Sequence, residues 1–501
     1  MNRKIGVILS YVLMIFEILS TLLLTPFIIR TLGQAEYGVY KLSAAITAYL
    51  LLLDLGVGNA IIRYIAKYKA QNDKIKERKF FGVATVFYFV IGLLSFFIGC
   101  YLVKVFPTLF AKGLNSKEIL LGQKLLFITV INCAITLSTA CYNNIILAYE
   151  NYKVSRMVSI VQIILRMACT YIALVLGLGS IGIVTVNLIA LIISRGYLVW
   201  YVLCKIKLIP LFKNVETTFI KEIVVYSSLV FIQMIATQLN SSVDQILLGS
   251  LVTSSSVIIG IYSIGTQIVQ YYQSIGSAFT GVLMPGIVKM IEKNSGYNVI
   301  ENEMLRISRI IFIVLGLIWG CFLVNGKTFI ILWAGQENND AYYVAIILMT
   351  AYMFILTEAV GSQILWALNE HKEQAYLKII IVILNVFLTI VLIRWNPLFG
   401  ATIGTCISLV LGDIGVMNVI FKKKLNINLF YYYRNLFRGI LPCIIMCILA
   451  GIIVNRFIAD SWIGFFVRVL IMVITYGFAM LVWGMNDYEK KLIFSLLKIK
   501  K

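Results

Sequence analysis

Long apolar stretches alternate with short polar ones from one end of the chain to the other. A membrane-crossing helix needs about 20 mostly apolar residues. Fourteen stretches meet this requirement: 5–29, 42–62, 80–103, 125–148, 157–176, 183–203, 223–251, 257–284, 310–332, 341–368, 379–393, 401–421, 439–455 and 463–483. The eleventh and thirteenth are the shortest. The first follows MNRK and exceeds the apolar core of a secretory signal, about 7–15 residues, with no small-residue cleavage site after it. It is therefore expected to remain as a helix. No soluble domain is expected between the stretches. The tail KKLIFSLLKIKK is expected to lie on the inner membrane surface, and YYYR at 431–434 belongs to an aromatic interface belt.

Three pairs of segments match at nearly one offset. GVYKL at Gly38–Leu42 pairs with GIYSI at Gly260–Ile264, an offset of 222 residues. ILAYENYK at Ile146–Lys153 pairs with LWALNEHK at Leu365–Lys372, and SIGIVTVNLI at Ser180–Ile189 with LFGATIGTCI at Leu398–Ile407, at offsets of 219 and 218. Each pair falls at the same place in the helix order. The spacing predicts a six-helix repeat, and an even number of spans makes the two copies run in parallel. The expected fold is all-α and integral to the membrane. It has about fourteen transmembrane helices in two six-helix lobes, 1–210 and 211–425, with two added helices and a basic tail in 426–501.

Composition agrees with this reading. Of 501 residues, 61% are hydrophobic and 13% charged, whereas soluble domains carry about 25% charged residues. The net charge of +21 would suggest nucleic acid in a soluble protein, but its placement excludes that partner. With the N-terminus inside, the inner segments hold 31 Lys and Arg and the outer segments 8. That bias orients the chain with both termini cytoplasmic and sets basic residues against an anionic leaflet. The nine cysteines form no CxxC pair and read as packing residues, and a single histidine excludes metal sites built on several. No phosphate-binding GxxxxGK[ST] loop is present. No cofactor or metal is expected.

Polar residues inside the apolar stretches carry the candidate chemistry. Glu17, Asp54, Asp244, Glu358 and Asp413 are carboxylates within predicted spans. Each costs at least about 2.5–3.5 kcal/mol at mid-membrane unless paired or hydrated. Glu17, Asp54 and Glu358 are candidates for gating or ion coupling. Asp54 has no cation within a helical turn and must find a partner on another helix, in glycine-exposed backbone or in water. Gln233, Thr237, Asn240, Ser241 and Asp244 lie on one helical face, as do Ser263, Gln267, Gln270, Ser274 and Ser277. Both stripes read as walls of a hydrated substrate cavity. Asn132, Thr136, Thr139 and Asn143 form a weaker stripe that interhelical packing would equally explain. Arg166 and Arg195 either hold an anionic diphosphate or pair with the internal carboxylates. Lys327 snorkels to the outer interface.

LGQAEYGVY at 32–40, DLGVG at 54–58 and ALNEHK at 367–372 resemble bacterial polysaccharide transporters of the multidrug/oligosaccharidyl-lipid/polysaccharide exporter superfamily. The resemblance spans essentially the whole chain. It implies a flippase that carries undecaprenyl-diphosphate-linked oligosaccharide, such as an O-antigen or capsule repeat unit, across the bacterial cytoplasmic membrane by alternating access. Implied partners are that substrate, membrane lipids, an H+ or Na+ coupling ion and the glycan polymerase machinery. Two alternatives stand beside it: a cation-coupled multidrug antiporter of the same superfamily, and a membrane-bound glycan polymerase or glycosyltransferase. The last is disfavoured because neither a large outer loop nor a DxD-type site is present.

Overall fold

The structure is a computed structural model that describes residues 2–212, 242–292, 297–368 and 372–491, with a few isolated positions between them. Among the described residues the regular structure is helical, and eleven helices are long and apolar enough to cross a membrane. One of these, Leu9–Ala70, runs for 62 residues. At about 1.5 Å per residue that is roughly 93 Å, three times a bilayer core. It therefore contains both the first and second predicted spans. About half of the seventh predicted span, most of it in its first part, falls outside the described residues.

The chain divides into two compact units, Met1–Gly260 and Ile261–Lys501. In the first, α1 (Asn2–Leu50) takes in the short polar segment expected between the first two spans. Gly33 breaks it with φ 74° and ψ 169°, so one residue turns the chain where a loop was expected. A tight turn, Leu51–Asp54, then interrupts the second span before α2 (Val57–Ala70). α3 (Lys74–Leu109), α4 (Ser116–Ser138), α5 (Ala140–Ala148), α6 (Tyr152–Val175) and α7 (Gly179–Trp200) follow. The predicted span 125–148 is thus broken at Thr139, the residue between α4 and α5. Asn115 and Glu118 cap α4 reciprocally, satisfying backbone donors that the helix cannot use. The core packs Val57, Ile61 and Ile65 of α2 against Phe80, Phe81 and Tyr88 of α3, with Cys141 and Ile145 of α5 and Leu198 of α7.

The second unit begins within α8 (Ser256–Glu292) and continues through α9 (Tyr297–Ala334), α10 (Ala341–Ala367), α11 (Lys372–Leu392) and α12 (Pro397–Leu409). A wide helical turn, Val410–Val416, leads into α13 (Met417–Leu425) and the short α14 (Leu429–Phe437). The two added helices are α15 (Ile440–Asn455) and α16 (Trp462–Ala479).

A buried arginine fastens the added helices to the unit. Arg309 of α9 is 5% exposed. It donates to Glu489 Oε1 and Oε2 at 2.6 and 3.2 Å, to the Asn435 carbonyl at 2.5 Å, to the Arg438 carbonyl at 3.1 Å and to the Gly484 carbonyl at 3.0 Å. These carbonyls close α14 and α16, whose last backbone acceptors have no partner within their own helix. Near the other end of α16, Arg468 is 2% exposed and bonds the Ile458 carbonyl and Asp460. Its guanidinium holds the Asp460 carboxyl below the usual carboxylate range. A lowered carboxylate pKa means the bond is kept at neutral pH and lost only as pH falls through that lowered value.

Removing the Arg309 guanidinium leaves the Glu489 charge buried without its cation, which costs about 3–5 kcal/mol. Arg309→Met should lower the thermal midpoint of the purified protein in detergent strongly, and Arg309→Met with Glu489→Leu should recover much of the loss. A single variant as stable as wild type would show that the cluster does not hold the added helices.

Candidate functional site

Asp54 sits where the backbone leaves the helix. Leu55 and Gly56 both take left-handed φ, 53° and 71°, so the chain turns within two residues before α2 resumes. The Asp54 carboxylate accepts from the Gly56 backbone N–H. It also accepts from the hydroxyl of Tyr88 on α3 at 2.6 Å. Tyr88 is fully buried and in turn accepts from the Asn144 amide on α5. A Cβ on Gly58 would stand 2.8 Å from the Asn144 amide nitrogen, so glycine there leaves room for Asn144. The glycine pair that follows Asp54 in the sequence thus has two distinct roles, a left-handed turn and a close approach.

The second unit repeats this chemistry with different helices. Glu358 of α10 is 3% exposed and accepts from the hydroxyl of Tyr433 on α14. The Asn418 amide of α13 donates to Tyr433 Oη at 2.6 Å and lies 3.3 Å from both Glu358 oxygens. In both units an asparagine amide supports a tyrosine hydroxyl, which supports a carboxylate. Nearby, Lys378 of α11 bonds Asp413 at 2.5 Å. Among the described residues neither Asp54 nor Glu358 is paired directly with an arginine: Arg166 lies within electrostatic reach of Tyr40, and Arg195 of Cys141.

The remaining candidates divide. Gln233, Thr237 and Asn240, with Ser241, lie outside the described residues. Asp244 is buried near Tyr49. On α8, Ser263 and Gln267 are buried, and the Gln267 amide donates to Tyr271 Oη at 2.6 Å. Gln270 is exposed, and Ser274 bonds the Gln270 carbonyl at 2.8 Å. Glu17 is exposed on α1. Tyr88, Asn144, Tyr433, Asn418 and Lys378 were not singled out by the sequence. Tyr433 was hidden in the aromatic belt, and Lys378 was counted only as an interface charge.

The repeated segments meet one another within the first unit. A Cβ on Gly38 would run into the Ser256 carbonyl and stand 3.1 Å from the Gly260 nitrogen. A Cβ on Gly260 would stand 2.8 Å from the Gln34 carbonyl and 3.6 Å from the Gly38 nitrogen. Gln34 and Gly38 map onto Ser256 and Gly260 at the repeat offset of 222 residues, so the crossing is reciprocal. Adjacent bonds reinforce it: Ser256 Oγ donates to Glu118 at 2.7 Å and the Ser255 N–H to the Gly113 carbonyl at 2.8 Å. Glu36, in the same motif, accepts from the Ser180 N–H at 2.7 Å and so caps the start of α7.

Eleven long apolar helices among the described residues, one of them broken beside the Asp54 carboxylate, define a polytopic membrane protein. Residues 4–291 match the family model described as polysaccharide biosynthesis protein, and the chain belongs to that family. Among solved structures, the lipid II flippase MurJ in an inward closed conformation matches with a TM-score of 0.75 at 13% identity. The match covers 98% of this chain and 100% of MurJ. An inward-facing multidrug resistance MATE family transporter of the MOP superfamily matches at 0.63 and 15% identity, covering 81% of this chain and 96% of its own. A Pyrococcus furiosus transporter of the superfamily gives 0.56 at 16% identity, covering 84% and 97%. No curated protein matches the chain by sequence.

Removing the tyrosine hydroxyl from either cluster takes one donor from its carboxylate, at about 1–3 kcal/mol. Tyr88→Phe and Tyr433→Phe should each lower the thermal midpoint in detergent, and the two losses should add, because they fall in separate units. A loss in one variant alone would show that only one cluster is structurally important.

Proposed function

We propose that this protein flips an undecaprenyl-diphosphate-linked oligosaccharide from the inner to the outer leaflet of a bacterial cytoplasmic membrane, with both termini in the cytoplasm. The observation that carries this reading is the extent of the shared architecture. The lipid-flippase fold accounts for 98% of the chain, added helices included, whereas the MATE matches cover 81–84%. The family's description, polysaccharide biosynthesis, points to the same class of substrate. In this reading the polar stripe residues Gln233, Thr237, Asn240, Asp244, Ser263, Gln267, Gln270 and Ser274 offer hydroxyl and amide partners to a glycan. Arg166 and Arg195 offer cations to the diphosphate. Driving force comes from H+ or Na+ or from removal of the product by downstream glycan polymerase machinery.

Alternating access requires a contact that is tight in one state and broken in the other. The reciprocal Gly38–Gly260 crossing serves as that contact on the outer side, where the charge bias places 104–124. Close backbone approach gives it many small van der Waals contacts and no large side chain to unpack. Asp54 belongs to the conformational switch: a charge beside a helix break changes its partners when the break flexes.

Deleting the gene should remove a surface glycan and leave drug sensitivity unchanged; the opposite result would favour the antiporter. Asp54→Asn keeps shape and removes charge, so it should slow output of every glycan accepted without changing preference among them. Loss of one glycan alone would place Asp54 in the binding site. Cysteines at Gln34 and Ser256, joined by a short cleavable cross-linker, should abolish glycan output, and cleavage should restore it. Unaltered output from fully cross-linked protein would show that the crossing never opens.

A further inference from the structure

We infer that the groove between α6 and α7 is a binding site for the polyisoprenoid tail of an anionic isoprenoid phosphate. The inference rests on the flippase reading and names a site for the lipid half of its substrate. Two cavities lie along this helix pair, of about 480 and 290 Å³. They share Leu165, Ala190 and Ile193, so they form one continuous trough. It is bounded by Lys153 at one end and by Leu176 and Leu178 at the other. From residue 153 to 176 a helix rises about 35 Å, the full depth of a bilayer core of about 30 Å.

The trough is chemically polarised. The cavity at the Lys153 end also carries the Gln162 amide, the Ser194 hydroxyl and the Tyr197 phenol, while the other cavity has no side-chain nitrogen or oxygen. The charge bias places Lys153 on the cytoplasmic side. A cation at the inner mouth, an amide and a phenol just above it and an apolar channel beyond match an amphiphile whose anionic head lies in the inner leaflet. The apolar wall is also open, with Val161 and Ile193 55% and 57% exposed.

Length selects the occupant. A phospholipid acyl chain occupies one leaflet, about 15 Å, and would fill less than half of the trough. A polyisoprenoid tail is long enough to run through both leaflets. Flipping the head group also requires the tail to reverse its direction, and a trough open from end to end admits both orientations. Its polar lining at the inner end favours the state before transport.

Cys169 lies in the apolar cavity and serves as a marker. The full-length protein in nanodiscs is photolabelled with tail-tagged undecaprenyl phosphate or with tail-tagged phosphatidylglycerol, and labelled peptides are mapped. The isoprenoid should label the Cys169–Ile172 segment at least fivefold more than the phospholipid. Lys153→Glu should reduce that labelling, and Ile193→Trp, on an exposed wall where folding is spared, should abolish it. Equal labelling by both lipids, labelling elsewhere, or labelling unchanged in Ile193→Trp would overturn the inference. Glycan output is measured in parallel. Wild-type output without groove labelling sinks the groove alone. Groove labelling in a protein whose deletion leaves every surface glycan intact sinks the flippase reading and leaves the groove standing.

Discussion

In a hydrocarbon layer there is no water to satisfy a backbone N–H or C=O, so every departure from a helix must be supplied with another partner. This constraint organises the whole chain. Its helices are interrupted at few places, and side chains gather at those interruptions. The break at Leu51–Gly56 has the Asp54 carboxylate folded back onto Gly56 and held by Tyr88. The helix ends around Phe437 and Gly484 have Arg309, which collects their free carbonyls into one buried cluster. At these interruptions polar side chains stand where the backbone needs partners.

The motifs that carry the family resemblance have structural explanations. In LGQAEYGVY, Gly33 turns the chain, Glu36 caps α7 and Gly38 lets the start of α8 approach backbone to backbone. The internal repeat places a second glycine, Gly260, at the reciprocal position of the same crossing. Repetition of a short sequence and symmetry of a contact are here the same fact.

The carboxylate clusters show a different kind of repetition. Asp54 and Glu358 occupy unrelated positions in the helix order, yet each is held by a tyrosine hydroxyl backed by an asparagine amide. A tyrosine brings a neutral donor on a rigid, apolar ring. It satisfies a buried carboxylate without adding a second charge to be desolvated. The groove between α6 and α7 shows the converse, a surface left almost wholly apolar except at one end. The chain thus separates polar groups at helix breaks from an uninterrupted apolar surface between two helices.

The all-helical, membrane-spanning character of the chain and its family were legible in the linear sequence. They depend on run length, periodicity and the placement of Lys and Arg, which are properties of neighbours along the chain. Asp54 stood out by the same means, since one charge in an apolar run is conspicuous without a structure. Its partner was not legible. Tyr88 lies 34 residues away, and Tyr433 lies 75 from Glu358. Nothing in a tyrosine's local sequence tells whether it faces lipid, an interface or a buried carboxylate. The loop expected between the first two spans was misjudged for a related reason: a single left-handed glycine can turn a helix that composition would break with a polar segment. Pairing across helices, the direction of each polar stripe and the close approach of Gly38 to Gly260 were decided only by tertiary packing, because side-chain partners on different helices are set by rotation and crossing, which no local pattern specifies.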